Sequence, residues 1–498
     1  MRVFITGATG FTGRALTLRL LGGGHQVSAL VRSEVSAQNQ LGPEVRLLPA
    51  NAGPGELRET LGGCDAVINL AGEPILGGRW NLRRRRAIIE SRLATTAQIV
   101  AAINKASPRP RVLISASAVG YYGDRGDELV DEHSPPGRDF IADLCGDWEA
   151  QAHQAEASGA RVFIPRLGIV LGPEGGTLRQ IITPYQFYAG GPIGAGRQFM
   201  PWIHLHDLVE LLATALEDER YRGAAIAAAP NPIRNGDFAR ALGQTLGRPS
   251  LLPVPAVVLH VLPGEAATVL LSSQRVIPRV LEGLGFRWRF DDLTAALRDI
   301  LVENGPEITV LGPASPRPLL SPESHYLQQR PASYLLRHTT AVKAPLAEVF
   351  AFFAQPWNLG VMTPSAMRFR IVGKPPPRIS RGLQINYSLQ VAGLPLRWRT
   401  RIEEWRPNEL FIDSQERGPY RSWWHEHHFR AAGAETVVED CVYYAPPLGA
   451  AGCALNSLFV GPELSRIFRF RAHAMRFRFP CPSEASGFDQ THDPRGVL

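Results

Sequence analysis

At 498 residues the chain is too long for a single hydrophobic core, so two or three domains are expected. With 45% hydrophobic and 20% charged residues the composition is that of a globular protein, and no segment reaches the ~20 uninterrupted apolar residues of a membrane span. The net charge of +7 is scattered, and its one run, Arg83 to Arg86, opens a segment of helical spacing (Ile88, Ile89, Leu93), which reads as a solvated helix start and argues against a nucleic-acid partner.

The N-terminus enters a strand directly, without a basic stretch, apolar segment and cleavage site, so a cytoplasmic location is expected. The five cysteines, Cys64, Cys145, Cys441, Cys453 and Cys481, lie far apart without C-x-x-C spacing and are expected to be free thiols. Val3-Phe4-Ile5 predicts a strand, and Ala15, Leu16, Leu18, Leu20 and Leu21 a helix, with Thr6-Gly7-Ala8-Thr9-Gly10-Phe11-Thr12-Gly13 between them. Glycines at 7, 10 and 13 permit a tight turn, close approach of bare amides to a pyrophosphate, and close packing of helix on sheet. Gly7, Thr9, Gly10, Phe11, Thr12 and Gly13 are therefore cofactor-binding candidates, in the strand-turn-helix context that the motif requires.

Gln26 to Val31 is the next predicted strand, ending in Arg32-Ser33. An acidic residue near this strand end binds ribose hydroxyls, whereas an arginine accommodates a 2′-phosphate, so NADP(H) is favoured over NAD(H), with Arg32 and Ser33 as candidates. Asp65 to Leu70 is a buried strand ending in Ala71-Gly72-Glu73, and its small residues let a cofactor lie across the sheet edge, through Leu70, Ala71, Gly72 and Glu73. A strand Arg111 to Ser117, a helix near Asp139 to Ser158 and a strand Arg161 to Ile164 follow. Strands alternating with helices imply a parallel, doubly wound α/β Rossmann sheet.

These residues resemble an extended short-chain dehydrogenase/reductase, specifically the atypical proteins of the epimerase/dehydratase group. The resemblance is carried by Thr6 to Gly13, Asn69 to Ile75, Arg79-Trp80, Ser91-Arg92 with Thr95, Ser115 to Asp124, Pro165 to Pro173, Gly190 to Gly194 with Gln198, and Pro201 to Asp207. It assigns residues 1–230 to an NAD(P)-binding domain and 231–302 to a small C-terminal extension. It implies cofactor contacts at Pro165, Arg166 and Leu167, substrate-side roles for Trp80 and Arg92, an unknown small-molecule substrate, and an assembly that could be a homodimer.

Residues 303–333 are rich in proline and serine and read as a linker. Beyond it come a strand (Tyr334 to Val342), a helix (Pro345 to Phe353), alternating strands including Leu383 to Val391 and Leu396 to Trp405, and a long helical stretch holding Leu464, Ile467, Phe468 and Met475. This α+β pattern over 334–480 resembles the START-like helix-grip (SRPBCC) domains, including the coenzyme Q-binding and polyketide cyclase branches, and implies a cavity for an apolar ligand such as a lipid, quinone or polyketide-like molecule. Arginines 466, 469, 471, 476 and 478 beside Phe468, Phe470, Phe477 and Phe479 read as the solvated face of a cavity lid rather than a lipid-binding helix. Residues 481–498 read as a disordered tail.

In the reductase family a serine, a tyrosine and a lysine carry the proton relay. Ser117 matches the serine. Between Gly123 and Pro184 there is neither a tyrosine nor a lysine, and the only lysine before Lys343 is Lys105, expected at the opposite sheet edge. Aligning on Glu149 puts Ile141 at the tyrosine position and Cys145 at the lysine position. Tyr121 and Tyr122 are the replacement acids, their loop bordering the nicotinamide site, although aromatic residues there also shape the pocket. Asp143 and Asp147 are expected to be solvated. The readings that remain are an NADP(H)-dependent oxidoreductase with an unconventional acid, and a non-catalytic redox sensor or scaffold acting on a protein partner.

No metal is expected. His204 and His206 read as one capping or buried histidine ahead of a helix. In Trp424-His425-Glu426-His427-His428, strand geometry puts His425 and His427 on one face and Glu426 and His428 on the other, so no third ligand is supplied locally and a cross-strand polar stripe is expected.

Overall fold

A computed structural model describes residues 1–75, 80–173, 175–253, 266–312, 326–373, 378–391, 393–447 and 452–480. The chain divides into two compact units: Met1–Glu34 with Glu44–Val302 in one, and a second that begins at Glu303 and includes Val35–Pro43. Arg79, Cys481 and the tail lie outside the described residues.

In chain order, the elements through residue 302 begin with β1 (Arg2–Thr6), α1 (Phe11–Gly22), β2 (Gln26–Val31), α2 (Glu34–Leu41), β3 (Arg46–Pro49), α3 (Pro54–Gly62), β4 (Ala66–Asn69) and α4 (Leu82–Lys105). They continue with β5 (Val112–Ser115), β6 (Ser117–Ala118), β7 (Leu129–Val130), α5 (Phe140–His153), β8 (Arg161–Leu167), β9 (Ile169–Leu171), α6 (Gly176–Gln186), β10 (Trp202–His204), α7 (Leu205–Glu217), β11 (Gly223–Ala227), α8 (Asn235–Leu246) and β12 (Arg275–Val276). The main sheet runs β11-β8-β5-β4-β1-β2-β3, all parallel, with β6 pairing β8. This is the doubly wound order expected from the alternation of elements, with β1 an interior strand between β4 and β2.

Its strands are apolar almost throughout because both faces are covered: every residue of β4 and β5 is buried. Phe4, Val67, Leu113 and Val162 pack on Leu57 and Leu61 of α3 and Ile99 and Ile103 of α4. On α1, Arg19 ties the helix to α7 by two bonds to Glu210, at 2.7 and 2.9 Å. Helix starts follow their caps: Asn81 accepts from the amide of Arg84 at the head of α4, and Asp139 from those of Ile141 and Ala142 at the head of α5. The basic run Arg83 to Arg86 thus lies in the first turn of α4. Asp143 and Asp147 are exposed on α5.

The second unit is one antiparallel sheet of β13 (Glu307–Val310), β14 (Tyr334–Val342), β15 (Arg370–Ile371), β16 (Gln384–Val391), β17 (Leu394–Arg406), β18 (Leu410–Arg417), β19 (Ser422–Ala432) and β20 (Glu435–Ala445). Their order is β13-β14-β20-β19-β18-β17-β16-β15. A helix, Leu346–Phe353, follows β14, and a long helix, Gly461–Arg478, closes the chain's described part. Register shifts on β17, between Arg399 and Thr400 and between Ile402 and Glu404, mark bulges that increase the local bend. One element departs from expectation: Glu307-Ile308-Thr309-Val310, inside the stretch read as linker, is the edge strand β13, since its β-branched residues pair with Tyr334 to Arg337. Among the described residues no helix is long and apolar enough to cross a membrane.

Candidate functional site

The carboxyl ends of β1, β2, β4, β5 and β8 lie along one edge of the parallel sheet, beside the start of α1. Gly7 has φ of 74°, a left-handed conformation, and a Cβ there would sit 2.7 Å from the Leu70 carbonyl oxygen. A Cβ on Gly13 would lie 2.1 Å from the Gly7 oxygen, so the turn closes only with glycine at both positions. Gly10 is the N-cap of α1 and brings no side-chain acceptor to the first amides of the helix. The Phe11 ring is enclosed by Gly172 and Gly175. Behind the turn, Thr6 donates to Asn69 Oδ1 at 2.6 Å, and Asn69 donates to Thr96 and Ser115.

At the end of β2, Arg32 and Ser33 are exposed, and Arg32 pairs with no acidic group among the described residues. Glu73, past β4, is engaged from three sides: its amide donates to Ser91 Oγ at 2.9 Å, its carboxylate takes Arg84 Nη1 at 2.8 Å, and its carbonyl accepts from Arg92 at 3.1 Å. Arg92, half-buried, also lies over the Trp148 ring at 5.2 Å.

Past β5 the predicted serine is held by a pair that spacing did not single out. Ser117 Oγ donates to Glu149 Oε1 at 2.6 Å, and Arg166 grips the same carboxylate with Nε at 2.9 Å and Nη2 at 2.8 Å. Burial opposes the charge on Arg166, but Glu149 more than offsets it and raises its pKa. Arg166 Nη1 also donates to the Tyr122 hydroxyl at 2.8 Å, and its guanidinium stands 3.6 Å from the Tyr121 ring centre. The two tyrosines therefore differ: Tyr122 is fully buried with its hydroxyl engaged and its pKa pushed up by burial, while Tyr121 is half-buried. Cys145 contacts Ser117, and burial, then Glu149, pushes its thiol up to about 12. Ile141, Cys145 and Glu149 are four apart and share one face of α5, the signal that could have nominated Glu149.

Beside this face is a pocket of about 280 Å³, lined among others by Trp80, Arg85, Gly120, Phe140, Ile141 and Gln274. Trp80 stands edge-on to Phe140 at 5.4 Å. The structure thus brings Trp80 and Ile141 to one pocket. His204 caps α7, its Nδ1 accepting from the His206 amide at 3.0 Å, and stacks on Phe290 at 4.0 Å.

The second unit encloses a cavity of about 350 Å³ between its sheet and the closing helix, walled by Ile385, Tyr387, Trp398, Leu464, Ile467 and Phe468. Among the polar side chains that line it are Asp413, His425, His427 and Arg471. Burial, then the neighbouring His427, pushes His425 down to about 4. Glu426 and His428 pair with each other at 3.0 Å, as the alternation of β19 predicts. Asp413 and Asp440, which complete the polar group, come from the flanking strands β18 and β20.

A doubly wound parallel sheet, a glycine turn after its interior strand β1 and a buried serine past β5 define a Rossmann-type α/β domain. The chain belongs to the NAD-dependent epimerase/dehydratase family, whose sequence model matches residues 3–226. A domain of unknown function, DUF1731, matches residues 254–300. Epimerase family protein SDR39U1 of Mus musculus is 40% identical over 311 residues, 60% of this chain and 100% of that protein. The chloroplastic SDR39U1 homolog of Arabidopsis thaliana is 42% identical over 310 residues, 60% of this chain and 87% of its own. The crystal structure of human epimerase family protein SDR39U1 with NADPH is similar at 38% identity and a TM-score of 0.55, covering 60% of this chain and 99% of that one.

Proposed function

We propose that the first unit binds NADP(H) across the carboxyl edge of its sheet and acts as an oxidoreductase on a small molecule seated between Trp80 and Ile141. The observation that carries this reading is the pairing of the glycine-capped start of α1 with an exposed, uncommitted Arg32 at the end of β2. The amides following Gly10 suit a pyrophosphate, and Arg32 with Ser33 suits a 2′-phosphate. The human relative, crystallised with NADPH, supports the same assignment. Leu70, Ala71 and Gly72, with Pro165 and Leu167, would border the cofactor, which when bound supplies the hydride. Ser117, oriented by Glu149, faces the reacting oxygen, and Tyr121 is the acid that remains once the Tyr122 hydroxyl is committed to Arg166.

The second unit, whose sheet and closing helix resemble a START-like (SRPBCC) helix-grip domain, would hold the apolar ligand in its cavity. Residues 1–230, 231–302 and 334–480 would then be cofactor-binding domain, extension and ligand-binding domain. A second reading, an NADP(H)-dependent redox sensor or scaffold that regulates a protein partner, rests on Ile141 and Cys145, neither of which transfers a proton as tyrosine and lysine do.

Stopped-flow oxidation of NADPH by the full-length protein with mixed carbonyl and quinone acceptors separates the two. Turnover that falls in Tyr121→Phe supports the enzyme; saturating NADPH binding without turnover favours the sensor.

A further inference from the structure

The register of three adjacent strands assembles a ligand set that no single strand holds. Asp413 on β18 lies opposite His425 on β19, and Asp440 on β20 opposite His427. Asp413 Oδ2 is 3.0 Å from His427 Nε2 and 3.7 Å from His425 Nδ1, and the three donor atoms lie within 4.8 Å of one another. Two donors held about 2.0–2.1 Å from a tetrahedral ion are about 3.3 Å apart, between the two measured separations. An ion among them would draw the three donors together from separations of no more than 4.8 Å.

The surroundings are those that metal-ligating imidazoles require. Behind the rings, Asp440 Oδ1 stands 3.0 Å from His425 Nε2 and 2.8 Å from His427 Nδ1, and Arg471 Nη1 donates to it at 2.9 Å. The Asp440 carboxylate bonds to the far nitrogen of His425, which orients that ring and raises its basicity, and its charge also stands beside His427 Nδ1. The buried Asp440 and the half-buried Asp413 carry two negative charges against the single positive charge of Arg471, so the cluster as it stands favours a cation. Phe411 stacks on His427 at 4.0 Å and fixes its plane. In front, Asp413, His425 and His427 all line the cavity, which leaves coordination positions open on that side.

We infer that Asp413, His425 and His427 bind a borderline first-row divalent metal ion, with its open position facing the apolar cavity of the second unit. Two imidazoles and one carboxylate suit zinc, cobalt or ferrous iron and not the all-oxygen preference of calcium or magnesium. An apolar ligand bearing a carbonyl, enolate or carboxylate oxygen would meet the ion at the cavity wall. The inference is independent of any cofactor bound by the first unit.

The test uses untagged full-length protein, freed of metal with a chelator and titrated with Co²⁺ and Zn²⁺. Binding at one equivalent per chain, with the intense visible bands of low-coordinate Co²⁺, is expected. Asp413→Asn and His427→Gln should each weaken binding by more than about 100-fold and Asp440→Asn by about 10- to 100-fold, while His428→Ala, on the opposite face of β19, leaves it unchanged. Melting of each metal-free variant identifies any that fails to fold, and the Co²⁺ spectrum of the wild type decides without variants. No Co²⁺ bands, or affinity retained in folded His427→Gln and Asp413→Asn, would overturn the site.

Discussion

The Ser117 hydroxyl donates to Glu149 at 2.6 Å, and Glu149 is in turn clasped by both arms of Arg166. Where the family resemblance leads to a tyrosine and a lysine on α5, the chain has Ile141 and Cys145, and one turn further on this buried ion pair. Only 8% of the Glu149 side chain and 6% of that of Arg166 are exposed, so neither charge can turn to water. Removing one partner strands the other: Glu149→Ala should cost about 3–5 kcal/mol. Denaturant unfolding measures it, and Glu149→Gln, which keeps the acceptor for Ser117, should cost less.

The Arg32 side chain is expected to decide between cofactors. A charge-assisted bond to phosphate contributes about 1.5–3 kcal/mol, so Arg32→Asp should weaken NADPH by about 10- to 100-fold. The affinity for NADH should be unchanged or improved. Fluorescence titration of the variant with both nucleotides reads the ratio.

Gly13→Ala should close the cofactor site sterically. Its methyl group would stand 2.1 Å from the Gly7 oxygen, which backbone alone occupies and no rotamer can vacate. A loss of about 1–3 kcal/mol from overpacking, with loss of nucleotide binding, is expected. Gly53, just before α3, has nothing within 4 Å of its Cβ position among the described residues and provides the control, since Gly53→Ala should affect neither.

For the second unit, Leu389 offers a direct probe of the cavity. It is half-buried in the cavity wall, so an arginine there can keep its head at the mouth while its stem fills the space. Leu389→Arg should lower the affinity for an apolar fluorescent probe more than about tenfold and leave NADPH binding by the first unit unchanged. Equal probe binding by wild type and variant would remove the cavity from the account.

The first unit is largely legible from its sequence because local signals and fold agree: Gln26 to Val31 is a strand with the expected ends, and the glycines stand between a strand and a helix. The Glu149–Arg166 pair is less so, since α5 and β8 bring it together in space and nothing in the sequence shows that the two meet. In the second unit, alternation along β19 separates His425 and His427 from Glu426 and His428. It cannot reach Asp413 or Asp440, because cross-strand register depends on hairpin pairing and bulges rather than on the period of one strand. Strand β13 is obscured by the prolines that surround it.

The measurement that bears most directly on the central claim is calorimetric titration of the full-length protein with NADPH and NADH side by side. One NADPH site per chain, at least about tenfold tighter than NADH, is the result the glycine turn and Arg32 predict. Equal affinities would remove Arg32 from the site, and no heat from either nucleotide would contradict the assignment of the carboxyl edge itself.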